Sequence, residues 1–113
     1  MWHACNPANT EPCGWDDGKG VQSDLTDAQW TELCTDGSPL NKKWKSMIDE
    51  VCVYLQQLED KGVEVLWRPL HEMNQGVFWW GGRPGANGTR LSGRASVARS
   101  SAYGGGRDRL SRP

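Results

Sequence analysis

One segment of the sequence has the pattern of a β-strand, and it limits what the chain can form. Val63, Val65 and Trp67 alternate against Glu64 and Arg68, which is the period of a strand. The order helix, glycine, short strand and polar loop is half of a repeating αβ unit. A buried parallel strand needs neighbours on both sides, and the sequence supplies one clear strand. The sequence therefore predicts an α/β fragment that cannot close a sheet by itself.

Two helices are predicted before this strand. The capping-box pair Thr26 and Gln29 begins a short one, and Gly37 ends that unit. The second is predicted over Leu40–Lys61, because its apolar residues recur at intervals of three or four, and Gly62 is a natural stop. Its apolar face comprises Leu40, Trp44, Met47, Ile48, Val51, Leu55 and Leu58.

Residues 1–22 are predicted to be a loop, since turn signals recur along them. The four cysteines permit two disulfides in any of three pairings. Cys5 and Cys13 bracket a proline-containing loop and are the pair most easily closed locally. Buried free thiols are the alternative, and Cys52 in particular falls within a helical pattern, where a thiol packs as a small hydrophobe.

Composition changes abruptly near Leu91. Residues 1–90 contain 8 Lys/Arg and 13 Asp/Glu, whereas residues 91–113 contain five Arg, one Asp, five Ser and four Gly. This tail has little to bury and is predicted to be disordered, or to be an artefact such as a frame change or an unspliced read-through. An Arg-rich nucleic-acid-binding tail is a weaker alternative, because five arginines without interleaved aromatic residues are weak evidence for nucleic-acid binding.

Several functional classes lack their motifs. No apolar run of about 18 residues indicates a membrane span, and no signal peptide is visible at the N-terminus. Neither a G-x-x-x-x-G-K-[ST] phosphate loop nor a G-x-S-x-G elbow is present. His71–Gln75 fails the zinc pattern H-E-x-x-H at its last position, and His3 with Cys5, Cys13 and His71 matches no zinc spacing. No metal or cofactor is expected.

His71 and Glu72 follow the predicted strand, and Trp79 and Trp80 come a few residues later. All seven tryptophans lie before residue 81, so they either fill a core or form a binding surface. In a barrel of parallel strands the chemistry lies at the C-terminal ends of strands. A carboxyl group beside tryptophan rings is poorly solvated, which favours the protonated form that a leaving sugar oxygen needs. The alternative is that Glu72 caps a helix and the tryptophans pack a core.

The segment VLWRPLHEMNQGVFWWGG (residues 65–82) strongly resembles the catalytic-acid segment of glycoside hydrolase family 26, whose best-known members are endo-β-1,4-mannanases. Related barrel glycosidases usually carry Asn-Glu at this place. A His-Glu pair followed by Phe-Trp-Trp-Gly is therefore specific for this family. The start, MWHACNP, is similar to the end of the third barrel strand in that family, where a Trp-His pair borders the sugar site. The likeness covers residues 2–90.

The resemblance implies a partial TIM (β/α)8 barrel around the third and fourth strands, with residues 1–90 as part of a catalytic domain. It implies hydrolysis of β-1,4-mannosidic bonds in mannan with retention of configuration. Glu72 would be the general acid/base, and His71, His3 and Trp80 would line the substrate site. The complete enzyme is expected to be secreted.

Two features leave the function open. The family's nucleophile is a second Glu on the seventh strand, and no candidate strand follows residue 90, so the chain is expected to be inactive alone. Val77 stands where many mannanases of the family show an aromatic residue, so another β-glycan, xylan or mixed-linkage glucan, is an alternative substrate. A non-catalytic carbohydrate-binding protein that reuses the aromatic surface is the alternative from a different class.

Overall fold

The computed structural model describes residues 1–83, which contain two helices, α1 (Asp27–Cys34) and α2 (Pro39–Asp60). A long loop precedes α1, and an extended segment and a second loop follow α2. No β-sheet forms within these residues, although two isolated parallel bridges join Trp2 to Pro69 and Gly18 to Ser23. The predicted Ser/Arg/Gly-rich tail, residues 91–113, lies outside the described part.

The helices begin and end where local chemistry dictates. The Thr26 hydroxyl accepts a hydrogen bond from the Gln29 backbone N–H at 3.1 Å, and Gln29 Oε1 accepts one from the Thr26 N–H at 2.9 Å, which confirms the capping box. α2 begins one residue earlier than predicted, because Ser38 caps it and Pro39 occupies the first helical position. Gly62 follows α2 with φ +74°, a conformation that favours glycine.

A chain of tryptophan rings forms the centre of the core. Trp2 stacks on Trp44 with 5.5 Å between ring centroids and on Trp67 with 5.8 Å. The edge of Trp79 meets Trp44 at 5.1 Å, and the Trp79 Nε1–H donates to the backbone oxygen of Ala4 at 3.0 Å. These rings therefore hold together the N-terminal segment, α2, the extended segment and the second loop.

The predicted strand over Val63–Trp67 is wrong as regular structure. Residues 63–68 have no ladder pairing, and the segment contacts the N-terminal segment through the bridge between Trp2 and Pro69 and through the stacking of Trp67 on Trp2. A strand is defined by its partners, and the described residues supply none along this segment. Val63, Val65 and Leu66 lie exposed as a result, with Leu66 at 96%, whereas Trp67 is half-buried against Trp2.

The apolar face of α2 is covered only in its first half. Leu40, Trp44, Ile48 and Cys52 are buried, whereas Leu58 in the last turns is exposed. Tyr54 on the same helix is also exposed. Within the described residues this face is therefore only partly covered. None of the described helices is long and apolar enough to span a membrane.

One of the open disulfide pairings is present. Cys5 and Cys13 are bonded, eight residues apart, as the local spacing favoured. Cys34 is half-buried and Cys52 is buried, and neither belongs to a disulfide. The second disulfide that the count permitted is therefore absent.

We expect hydrogen exchange to separate the extended segment from α2. The N–H of Val63 donates to the Leu58 carbonyl at 2.9 Å, but no backbone hydrogen bond from residues 64–68 forms within the described residues. Amides 64–68 should exchange nearly as fast as in an unfolded chain, and the central amides of α2 should be protected. Strong protection over 64–68 would contradict this pairing-free segment.

Candidate active site

Five aromatic and imidazole rings form a cluster at one side of the molecule, here called the ring cluster. The edge of His3 contacts His71 at 4.6 Å and Trp15 at 4.8 Å between centroids. Phe78 lies 5.0 Å from His71 and stacks on Trp80 at 4.5 Å with an interplanar angle of 6°. Sequence positions as distant as 3 and 80 thus meet at one place.

The loop that carries Trp15 is fixed by its own hydrogen bonds. Asp17 Oδ1 accepts from the backbone N–H groups of Lys19 and Gly20 at 2.9 and 2.7 Å, an Asx-type turn. These two bonds lower the pKa of Asp17 below its ordinary value. The Gln22 N–H donates to the Trp15 carbonyl at 2.9 Å, and the Cys5–Cys13 disulfide closes the loop at its other end.

The segment around His71 has an unusual backbone. Leu70 and Glu72 both have positive φ, 50° and 55°, a left-handed conformation that non-glycine residues adopt at a cost of about 1–3 kcal/mol each. Leu70 is fully buried, and the Trp80 Nε1–H donates to the His71 carbonyl at 2.8 Å. These contacts hold the conformation, which is typical of functional sites.

The second loop, residues 71–83, folds back on itself. The Gln75 N–H donates to the Glu72 carbonyl at 3.0 Å, and the Gly82 N–H donates to the Met73 carbonyl at 3.0 Å. A Cβ at Gly81 would lie 2.0 Å from the Gln75 carbonyl oxygen, so the close approach requires glycine. The Gly-Gly pair of the sequence therefore closes the loop that presents Glu72.

His71 is buried and is favoured in its neutral form. Burial lowers its pKa below the ordinary value, and the nearby His3 imidazole acts in the same direction, while Glu72 opposes both. Arg68 and the N-terminus lower this pKa further. The His71 Nδ1 is buried without a hydrogen-bond partner among the described residues.

The candidate residues differ in what they present to solvent. Glu72 and His3 are exposed, whereas Trp80 is 0% exposed and lies behind Phe78. The predicted burial of the Glu72 carboxyl against tryptophan rings is therefore not found within the described residues. Trp80 has no open face for a sugar here and instead supports Phe78 and His71, so direct substrate contact by Trp80 stays a prediction.

Sequence reasoning missed two members of the ring cluster. Trp15 is 49% exposed and lies against His3 and Phe78. Its signal was a lone tryptophan among Asp and Gly residues, with no apolar pattern around it to bury it. Phe78 had the weaker signal of preceding the tryptophan pair.

The ring cluster does not resemble a metal centre. No group of three or more His, Cys, Asp or Glu side chains that could hold a metal ion occurs within residues 1–83. The groups that it presents limit its possible chemistry. One exposed carboxyl group lies next to a buried, neutral imidazole, beside an exposed indole and a second imidazole. Such a surface suits an uncharged ligand with flat apolar faces.

Comparison with known proteins gives a consistent assignment. A mannan endo-1,4-beta-mannosidase of Thermothelomyces thermophilus is 36% identical over 88 residues, covering 74% of this chain and 18% of the relative. Mannan endo-1,4-beta-mannosidase A and B of Caldalkalibacillus mannanilyticus is 38% identical over 68 residues, covering 60% of this chain and 13% of the relative. The chain therefore spans less than a fifth of the length of these relatives.

Solved structures agree. GH26A from Muricauda sp. MAR_2010_75 superimposes with a TM-score of 0.82 at 34% identity, over 89% of this chain and 32% of that one. The Bacillus subtilis mannanase man26 gives a TM-score of 0.70 at 26% identity, over 88% of this chain and 30% of that one. The family model described as glycosyl hydrolase family 26 matches residues 1–92. The chain therefore belongs to glycosyl hydrolase family 26.

Proposed function

We propose that this chain forms the acid/base side of a glycosidase site that hydrolyses β-1,4-mannosidic bonds in mannan. The observation that carries the proposal is the position of Glu72, an exposed carboxyl group that directly follows buried His71 in the ring cluster. The relatives named as mannan endo-1,4-beta-mannosidases support the substrate.

In the proposed retaining mechanism a second carboxylate, supplied by the rest of the enzyme, attacks the anomeric carbon while Glu72 protonates the leaving sugar oxygen. Glu72 then deprotonates the water that displaces this carboxylate from the glycosyl-enzyme. Trp15 and His3 offer exposed ring surface for the apolar faces of a sugar. His71, held neutral by burial, adds no positive charge beside the carboxyl group. Phe78 and Trp80 stack behind it and keep its ring in place.

A partial (β/α)8 barrel is the architecture that we propose around this site. The parallel bridge from Trp2 to Pro69 supports two neighbouring parallel strands, with α1 and α2 between them in the chain. His3 directly follows Trp2, His71 lies two residues after Pro69, and the two imidazole rings are in contact. Site residues just beyond the ends of adjacent strands are the arrangement that barrel enzymes use.

The Cys5–Cys13 disulfide supports the proposal that the complete enzyme is secreted. Disulfides persist in oxidising compartments and are rare in the cytosol. This bond joins residues 5 and 13, which lie between His3 and Trp15 in the chain, so an oxidising environment would preserve a cross-link beside the site.

We expect the purified 113-residue chain to release no reducing ends from mannan. Retaining hydrolysis needs two carboxyl groups about 5–5.5 Å apart, and Glu72 is the single carboxyl group that we assign to the site. A reducing-end assay measures this directly. Turnover that disappears in the Glu72→Gln variant would show that the chain carries its own nucleophile and would overturn the expectation.

A chimera tests the proposed function itself. Residues 1–83 of this chain would replace the superimposed segment of the Bacillus subtilis mannanase, and hydrolysis of mannan, xylan and mixed-linkage glucan would be compared. Preferred hydrolysis of mannan is the expected result. Hydrolysis of xylan or mixed-linkage glucan instead would reassign the substrate. A folded chimera that binds mannan without hydrolysing it would favour the carbohydrate-binding alternative.

A further inference from the structure

The ring cluster lies between two loops that are far apart in sequence. The first loop, residues 3–25, carries His3 and Trp15, and the second loop, residues 71–83, carries Phe78. The rings meet across the gap at 6.2 Å between Trp15 and Phe78 and at 6.0 Å between His3 and Phe78. The shape of the cluster therefore depends on whatever holds the two loops at a fixed separation.

Arg83, at the end of the second loop, reaches back to the point where the first loop becomes α1. Its Nη1 donates to Asp27 Oδ1 at 2.6 Å, and its Nη2 donates to the Leu25 carbonyl. Its guanidinium carbon also lies 5.1 Å from the centroid of the Trp30 ring. Three different kinds of group thus contact one guanidinium, across 53 to 58 positions of sequence.

The contacts of Arg83 orient the second loop more than they stabilise the fold. Asp27 is fully exposed, and ion pairs with an exposed partner contribute little to folding. The planar guanidinium fixes direction instead, because its two donors and its face are used together. On the opposite, core side of the second loop, Trp79 is already tied to the first loop by its bond to the Ala4 carbonyl. With the contacts of Arg83 as a second attachment point, the second loop cannot rotate freely about the Trp79–Ala4 hydrogen bond.

We propose that Arg83 is a positioning residue that clamps the two loops and so sets the geometry of the ring cluster. The role as part of a sugar site rests on the proposed function, but the clamp itself does not. Loss of the clamp lets the second loop move away, so that water reaches His71 and the Phe78 ring leaves His3.

Nuclear magnetic resonance of the full chain tests the clamp, because the sequence contains only two histidines. In Arg83→Gln the His71 pKa should rise towards its ordinary value of about 6.5, since burial is the main cause that lowers it. The ring signals of His3, which lie beside Phe78, should also shift. Lys45→Gln is the matched control, because it removes another ion pair with an exposed carboxylate, that to Asp36, and both readouts should stay unchanged.

Graded variants separate positioning from unfolding. Arg83→Lys keeps the charge near Trp30 but cannot use two donors in one plane, so its His71 pKa should lie between those of the wild type and Arg83→Gln. Asp27→Asn leaves the Leu25 and Trp30 contacts in place and should shift His71 in the same direction by less. Should Arg83→Gln fail to fold, these two variants decide, and an unchanged His71 pKa in both would overturn the proposal.

Sugar binding distinguishes failure of the clamp from failure of the proposed function. Mannohexaose titrated into the wild-type chain should perturb the Trp15 indole signal. The same titration should perturb this signal less in Arg83→Gln. If mannohexaose does not bind the wild-type chain while the His71 pKa still depends on Arg83, the clamp is supported and the sugar site is contradicted. An unchanged His71 pKa in every folded Arg83 variant would overturn the clamp whatever the sugar does.

Discussion

Replacing Glu72 by alanine in the chimera with the Bacillus subtilis mannanase should lower mannan hydrolysis by about 10²- to 10⁴-fold, the usual contribution of general acid–base catalysis. The sugar leaving group of mannan is a poor one, so it must be protonated as the bond breaks. Glu72 is exposed and directly follows His71 in the ring cluster, so its carboxyl group is available to do this.

The same variant should be affected much less on an aryl mannoside with a good leaving group. That bond can break without an acid, so the first step survives the loss of Glu72. The second step still lacks a base. Added azide should partly restore turnover of the aryl mannoside, because a small anion can occupy the vacated space and attack the glycosyl-enzyme without base help.

Glu64→Ala is the matched control for this experiment. Glu64 is another exposed glutamate, eight residues earlier in the extended segment, and its removal should leave both activities unchanged. A structural role for Glu72 has a different signature. Equal losses on both substrates, no response to azide and a lowered melting temperature would remove Glu72 from the acid/base role.

The helices could be predicted from the sequence because their determinants are local. Thr26 and Gln29 satisfy each other's backbone groups within one turn, and Gly62 stops α2 by its own conformation. α2 begins one residue before the predicted start because Ser38 and Pro39, and not the apolar period, determine its first turn. Both signals lie within a few residues of the feature they determine.

The strand could not be predicted in this way, because a strand depends on partners elsewhere in the chain. The alternation at Val63, Val65 and Trp67 predicts a strand, but the described residues supply no ladder beside it. Val63 and Val65 are exposed, as expected of side chains whose covering layer is absent from residues 1–83.

The sequence could indicate candidate site residues that are adjacent in the chain, but not the loop geometry that surrounds them. The roles of His71 and Glu72 stay predictions, and the contact between the His3 and His71 rings shows that the segments around residues 3 and 71 meet. Trp79 and Trp80 looked equivalent in the sequence but separate in the fold. Trp79 packs into the core against Trp44, and Trp80 supports the ring cluster.

Replacing Trp44 by alanine should unfold the chain. Trp44 is 1% exposed and contacts Trp2 on one side and Trp79 on the other, so it joins the N-terminal segment to the second loop through α2. Truncation of a buried tryptophan costs about 3–5 kcal/mol, and a domain of this size has little stability to lose. Near-ultraviolet circular dichroism and a urea titration measure the loss of the packed core.

The control uses an aromatic residue of the same helix. Tyr54 is 67% exposed, and Tyr54→Ala should change the free energy of unfolding by no more than about 0.5 kcal/mol, as is usual for surface positions. Trp44→Phe keeps a ring between Trp2 and Trp79, so its loss of stability should lie between those of Trp44→Ala and Tyr54→Ala.

The ring cluster depends on this packing through the edge contact of Trp79 with Trp80 at 5.5 Å. His71 in Trp44→Ala should therefore lose its burial and titrate near its ordinary pKa of about 6.5. A Trp44→Ala chain that keeps a cooperative transition and a low His71 pKa would mean that the ring cluster folds independently of the tryptophan core.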